Sequence, residues 1–446
     1  MSNFFDKKKV LVCGMARSGQ SAARLLRKLG ADVTAQDLKE DVDWTFPPEA
    51  ENIHLYLGKN PDAVVEMFDM LVVSPGIPFN MPFIEKARSL NIPVWGELEL
   101  AYSCCKCPIV AITGTNGKTT VTTLVGEILR KKNPQTLVAG NIGIPFTDRV
   151  TELTPESLAV LEVSSFQLET AHNFKPAVAA VLNLTPDHLN RHKTMEHYRA
   201  LKERVFINQQ PGDAAVLNYD DPCCRLMKPP GRAIFFSEKE RLEEGVFLDG
   251  NFIRARLDGI DERIIEISET RVLTENALAA AAIALLSGAS VTDVSETLKN
   301  FKGVEHRIEY VGEYNGVAYY NDSKATNADA AIKGLSAMRR PVVLIGGGYD
   351  KQVTFDGWVG MFKGRVKFLV VMGQTAGQII ETCRAFSFED FDRVNSLRDA
   401  VTLAAAHAKP GDCVLLSPAC ASWDMFDNFE QRGQLFKQFA REINAQ

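Results

Sequence analysis

The sequence predicts an α/β protein of three domains, each built on a largely parallel sheet, on three observations. Its 446 residues correspond to roughly three domains at about 150 residues apiece. Strand-like apolar runs alternate with helical patterns nearly throughout, as parallel strands joined by crossover helices require. Glycine-rich or polar turns close those runs, where sheets of this kind hold their ligands.

Eight runs carry the strand signal in order: KKVLVCG, DMLVVSPG, PIVAITG, LAVLEVSS, AAVLNLT, PVVLIGGG, KFLVVMG and DCVLLSP. Between them, apolar residues recur at helical spacing, as in Val121, Leu124, Val125, Ile128 and Leu129. A more polar, hairpin-like region over 232–268 interrupts the alternation and predicts a small antiparallel sheet edge in the middle domain. The expected domains are 1–97, 98–303 and 304–446.

Apolar content of 46% and charged content of 24% exclude a disordered or fibrous chain. A net charge of −6 argues against a nucleic-acid binder and requires anionic ligands to be held by clustered local donors, cations and metal ions. The first apolar run ends in a glycine turn and reads as a strand, not a signal peptide, and no stretch approaches a membrane span. Nine cysteines without an export signal read as free thiols in a reducing compartment, hence a cytoplasmic protein. Cys104, Cys105 and Cys107 lack the second ligand pair that a zinc site needs.

The first centre is GMARSG, Gly14 to Gly19, which opens a helix and is followed by Asp37 at the end of the next strand. This is the Rossmann-like nucleotide layout. Ala16 stands where the fingerprint has its second glycine, which disfavours a nicotinamide cofactor but leaves a helix N-terminus for an anion and an acid for a ribose or base. A second turn, Ser74-Pro75-Gly76, could line the same crevice.

The second centre is GTNGKTT, comprising Gly114, Thr115, Asn116, Gly117, Lys118, Thr119 and Thr120. Strand, glycine-rich loop and helix make a phosphate cradle: backbone N–H groups surround the phosphate, Lys118 supplies the cation and Thr119 a hydroxyl for magnesium. Ile112 replaces the first glycine of the longer form, so this is a short P-loop in a central ATPase domain. Glu162 and His188 are the metal-ligand candidates in kind, and each alone reads equally well as structural. Lys202 shares a helical stripe with Met195, Tyr198 and Val205, so it either finds a buried partner or modification, or snorkels to water.

The third centre gathers His306 and Arg307 at a domain boundary, then Asp322, Lys324 and Thr326 where strand GVAYYND ends, Lys351 at the end of GGGYDK, and Ser417, Ser422 and Trp423 at the carboxyl end of strand DCVLLSP. Polar clusters at several strand ends of one Rossmann-like sheet predict a shared crevice.

Taken in order, GTNGKTT, LEVSSFQLE, YRALK, HRIE, NDSKATN and SPACASWDMFDNFEQRG make the chain resemble the Mur ligases over essentially its whole length. The resemblance implies an ATP-dependent amide-bond-forming enzyme of peptidoglycan synthesis, acting through an acyl phosphate. It implies UDP-N-acetylmuramoyl-L-alanine, D-glutamate and ATP as substrates, two Mg2+ sites and a monomer. It assigns the ATP phosphates and magnesium to the loop through Thr120, with Glu162 and His188 supporting the metals and Lys202 carbamylated as a metal ligand. Asn276, Arg307 and Asp322 fall to the rest of ATP, and Lys324, Thr326, Lys351, Ser422, Trp423 and Phe429 to D-glutamate. Gly14, Ala16, Arg17, Asp37, Ser74, Gly76 and Asn141 fall to the uridine nucleotide. Two stretches depart from the family pattern, TRVLTEN before Asn276 and GGGYDKQ around Lys351. A nicotinamide oxidoreductase, a non-catalytic nucleotide switch or binding module, a different amino-acid adding enzyme and a folate-polyglutamating relative are the competing readings.

Overall fold

A computed structural model describes residues 4–270, 272–351 and 353–444. Arg271 of the TRVLTEN departure and Gln352 of the GGGYDKQ departure lie outside them. Among the described residues there are three sheets, of five, nine and six strands. The chain forms two compact units, one of Met1–Leu184 with Arg191–Phe301, the other of Thr185–Asn190 with Lys302–Gln446.

The first unit holds two sheets. In the five-stranded one, Lys9–Cys13 lies between Asp32–Asp37 and Met70–Val73, with His54–Leu57 and Val94–Gly96 at the edges, all parallel. Strand order reverses direction beside Lys9–Cys13, so the turns after Cys13 and Val73 both open at the carboxyl end of a topological switch point. In the nine-stranded sheet Ile109–Thr113 is third from one edge, flanked by Leu158–Glu162 and Val178–Val181. The polar region at 232–268 continues this sheet. Arg232–Ser237 and Gly245–Asp249 join in parallel, and Phe252–Leu257 with Ile260–Glu266 close the edge antiparallel.

One apolar core spans both sheets, with Val10, Val12 and Leu26 in the same cluster as Ile109, Ala111 and Leu161. The fully buried central strands explain their continuous apolar sequence. A buried carboxylate holds the helix that follows the last strand of the first sheet: Glu99 of Glu97–Cys104, 1% exposed, accepts from the backbone N–H groups of His172, Asn173 and Phe174 at 2.8–3.2 Å.

In the second unit the order runs Glu309–Tyr314, Val317–Asn321, Cys413–Leu416, Val342–Gly346, Val366–Val371, Phe391–Arg393. The first pair is an antiparallel hairpin turned at Asn315-Gly316, both at positive φ, the pairing that a tight hairpin turn favours. The rest are parallel. No described helix is long and apolar enough to cross a membrane, and all nine cysteines are free thiols.

Candidate active site

At the first switch point, Gly14 has φ +88 and a Cβ there would meet Ser74 Cβ at 2.9 Å, so the two predicted turns touch. Gly19 is equally constrained, because its Cβ would fall 1.8 Å from the Gly14 carbonyl. The helix Arg17–Lys28 begins after Ala16 in extended conformation, with no side-chain cap, which leaves its first N–H groups available to an anion. Asp37 accepts from the Met15 N–H at 2.7 Å and the Lys39 N–H at 3.0 Å, which fixes the acid beside the turn. Arg17 is exposed.

The phosphate loop is built as its glycines demand. Gly114 and Gly117 have φ +146 and +82, values that side chains resist. Gly117 starts the helix Lys118–Lys132, and a Cβ on it would meet Asn276 Oδ1 at 2.4 Å. Asn276, distant in sequence, is thereby placed directly on the loop. Lys118 Nζ folds over the loop and donates to the carbonyls of Gly114 at 2.9 Å and Thr115 at 2.8 Å.

Lys202, 1% exposed, points inward from the helix Met195–Glu203. It donates to the Gly114 carbonyl at 2.9 Å and the Thr113 hydroxyl at 3.3 Å and lies 4.7 Å from the Tyr198 ring centroid. Of its two alternatives the buried one holds, and snorkelling does not occur.

Glu162 ends its strand at 2% exposure. Its Oε1 accepts from Asn141 Nδ2 at 2.7 Å, and its buried Oε2 has no hydrogen-bond partner, nor has the buried hydroxyl of Thr120. An ionised carboxylate oxygen left unmatched in the interior is costly unless a cation completes it. The oxygen-only donor set of Glu162, Thr119 and Thr120 therefore fits a hard divalent cation such as Mg2+. Asn141, expected at the uridine end, is bonded to this carboxylate.

In the second unit, Asn321, Leu416 and Gly346 end adjacent strands, so the three predicted polar clusters open side by side. Asp322 is fully buried, accepts from the Ser417 hydroxyl at 2.9 Å and the Ile308 N–H at 3.3 Å, and is pushed up to about 6 by burial against the pull of Arg307. Lys324 Nζ sits 5.0 Å from the Phe429 ring centroid and Lys351 Nζ 5.9 Å from that of Trp423. Ser422 is buried, and Trp423 is 60% exposed. Thr326 is half-buried and donates its N–H to the Lys324 carbonyl at 2.9 Å. His188 lies in Thr185–Asn190, which packs with this unit, and its φ of +53 marks a constrained turn. Glu305, His306 and Glu309 also converge, but the Lys437 ammonium already bridges both carboxylates at 2.6 and 3.0 Å.

Several side chains at these sites escaped sequence reasoning. Asn183 accepts from the Asn116 N–H at 2.8 Å and donates to Glu275 at 2.8 Å, bracing the loop. Asp187 pairs with Lys351 at 3.4 Å and accepts from Asn327 at 3.2 Å. The polar interruption LNLTPDH after an otherwise apolar strand was the available signal.

Three family descriptions match the chain in order: Mur ligase MurD-like, N-terminal domain over 8–96, Mur ligase middle domain over 112–284, and Mur ligase, glutamate ligase domain over 306–420. A UDP-N-acetylmuramoylalanine--D-glutamate ligase of Pelotomaculum thermopropionicum is 49% identical, with 98% of each chain covered. Among solved structures, the UDP-N-acetylmuramate-alanine ligase MurC of Thermotoga maritima superposes with a TM-score of 0.62 at 17% identity, covering 98% of this chain and 99% of that one. The MurF ligase of Thermotoga maritima in complex with ADP gives 0.59 at 15%, covering 99% and 97%. At those identities the two structures speak for the fold alone.

Proposed function

This chain belongs to the Mur ligase family, and from that premise we propose that it is an ATP-dependent ligase adding D-glutamate to UDP-N-acetylmuramoyl-L-alanine in peptidoglycan synthesis. The observation that carries the reading is 49% identity to a D-glutamate ligase over 98% of both chains. The phosphate loop and the orphaned Glu162 oxygen supply the chemistry it needs.

In the first step the substrate carboxylate attacks the γ-phosphate of ATP and ADP leaves, giving an acyl phosphate. Anions meet anions here, so the chain's task is neutralisation and alignment. Loop N–H groups and Lys118 cradle the phosphates, and the Gly117–Asn276 contact seats the nucleotide against the loop. Thr119, Thr120, Glu162, His188 and a carbamylated Lys202 would hold two Mg2+ ions, whose positive charge would offset the negative charge of the transferring phosphoryl group. Arg307 and Asp322 serve the remainder of the nucleotide.

In the second step the unprotonated amine of D-glutamate attacks the acyl carbon. The tetrahedral intermediate loses a proton from its nitrogen to solvent and collapses to the amide, and phosphate departs with its bonding pair. Lys324, Thr326, Lys351, Ser422, Trp423 and Phe429 orient the amino acid, with cations for its two carboxylates, and orientation supplies much of the rate. Gly14, Ala16, Arg17, Asp37, Ser74, Gly76 and Asn141 serve the uridine-nucleotide end. The division into 1–97, 98–303 and 304–446 follows this division of substrates. A monomer acting in the cytoplasm, without nucleic-acid or membrane partners, completes the proposal.

The test is magnesium-dependent phosphate release from ATP with UDP-N-acetylmuramoyl-L-alanine, comparing D-glutamate with L-glutamate, L-alanine, lysine and diaminopimelate. Release specific to D-glutamate is expected. Release with another amino acid moves the specificity, and none with any returns a binding role. Lys118→Ala should retain the fold and lose turnover by about 10²-fold or more; undiminished turnover sinks the role given to Lys118.

A further inference from the structure

Arg191 binds a substrate turn and the phosphate-loop domain in one side chain. Its guanidinium donates to the carbonyls of Pro75 at 2.8 Å and Ile77 at 3.0 Å, reaching back 116 and 114 residues. The opposite side of the fork meets Glu169 at 3.2 and 2.5 Å, just beyond the short helix Ser165–Leu168. The plane also lies 4.2 Å from the Phe166 ring centroid. The planar fork is thus used on both sides, which an ammonium could not reproduce.

The two clamped carbonyls flank Gly76. That residue is exposed, and a Cβ on it would meet nothing within 4 Å, so the turn is held from behind while its tip faces open space. The docking of the two sheets does not depend on this clamp, because the shared apolar core and the 2.5 Å contact between the hydroxyls of Ser21 and Thr147 join them elsewhere. Arg191 can therefore fix the turn without being needed for the fold.

We propose that Arg191 is a positioning residue that sets the Ser74-Pro75-Gly76-Ile77 turn against the phosphate-loop domain, so that a substrate anchored on the turn presents its carboxylate at the loop. This rests on the assignment of that turn to the uridine-nucleotide substrate. Small displacements of a reacting group are costly to rate and binding, so the effect should fall on one substrate.

The experiment is steady-state kinetics of Arg191→Lys and Arg191→Ala with both substrates varied, alongside thermal melting. Arg191→Lys should raise KM for UDP-N-acetylmuramoyl-L-alanine by about tenfold or more, leaving KM for ATP and the melting midpoint near those of the unsubstituted protein. Added guanidinium ion should partly restore Arg191→Ala, as expected for a vacated fork. An unchanged KM, or both KM values rising together, overturns the clamp. If the arginine variants do not fold, Glu169→Gln removes half of the clamp and should shift the same KM in the same direction; no shift overturns it. Absence of turnover in the unsubstituted protein is a different failure, that of the functional reading itself.

Discussion

Lys202 donates to the Gly114 carbonyl at 2.9 Å across 88 residues of sequence, which brings a lysine on one helix to the first residue of the phosphate loop. Carbon dioxide adds to a neutral amine, with release of a proton, to give an anionic carbamate, and at this position it would place a carboxylate-like ligand at the loop. Depleting carbon dioxide at mildly acidic pH should therefore lower activity, and bicarbonate at mildly alkaline pH should restore it. Lys202→Arg keeps the charge but cannot be carbamylated and should be insensitive to both treatments. Activity indifferent to carbon dioxide in the unsubstituted protein would remove the carbamate from the mechanism.

Glu162 carries the cation prediction. Its Oε1 is held by Asn141 while Oε2 has no partner, so Glu162→Gln keeps the shape and removes the charge. The Mg2+ concentration for half-maximal activity should rise, and Asn141→Ala, which frees the carboxylate to turn, should raise it by about 10- to 100-fold, the range for a residue that orients a metal ligand. A magnesium titration of each variant decides this. Superimposable curves would mean that Glu162 holds no metal.

How much of this was legible beforehand depended on whether the cause was local. The phosphate loop was readable because Gly114 and Gly117 need left-handed backbone, a requirement that shows in sequence as glycine. The eight apolar runs were readable because most residues on both faces of those strands are buried. Short or less apolar strands such as His54–Leu57 and Phe391–Arg393 carried too little pattern. The region 232–268 signalled its polarity but not that its first two strands add in parallel. Asn183, Asp187 and Arg191 were missed because each has a partner 67 to 164 residues away, and nothing local sets a structural asparagine or arginine apart from a solvated one.

Glu97 gives a pH signature. It is 5% exposed, and burial pushes its carboxyl up from 4.5 to about 8 despite hydrogen bonds from Ser18 and Ser74. The folded protein therefore keeps the proton while the unfolded chain has lost it. Stability from this group is full below the unfolded value and declines as pH rises toward the folded one, by at most about 1.4 kcal/mol per pH unit. Glu97→Gln is neutral throughout and escapes the decline. Urea midpoints at about pH 5 and about pH 8 should differ less in the variant than in the parent. An equal pH response in both would show that Glu97 does not titrate in this window.

Arg432 supports the last prediction. It is fully buried, yet its contacts are all to neutral oxygens: the Ser323 hydroxyl at 3.0 Å, the Ser323 carbonyl at 2.8 Å, the Cys420 carbonyl at 3.2 Å and the Ala421 carbonyl at 3.3 Å. Burial lowers its pKa to about 10, so it stays charged at neutral pH. One side chain from the helix Phe429–Asn444 thus ties the ends of two adjacent strands, and the residues it grips are chain neighbours of Lys324 and Ser422. Arg432→Met preserves bulk but leaves those buried oxygens unmatched, a loss on the order of 3 kcal/mol. Arg432→Lys retains part of the donor set and should fall between. Because the gripped loops carry the proposed amino-acid residues, KM for D-glutamate should rise in Arg432→Lys while KM for ATP changes less. Denaturant melts and the two KM values measured together check this; a variant as stable as the parent with both constants unmoved would show that the strand ends hold without Arg432.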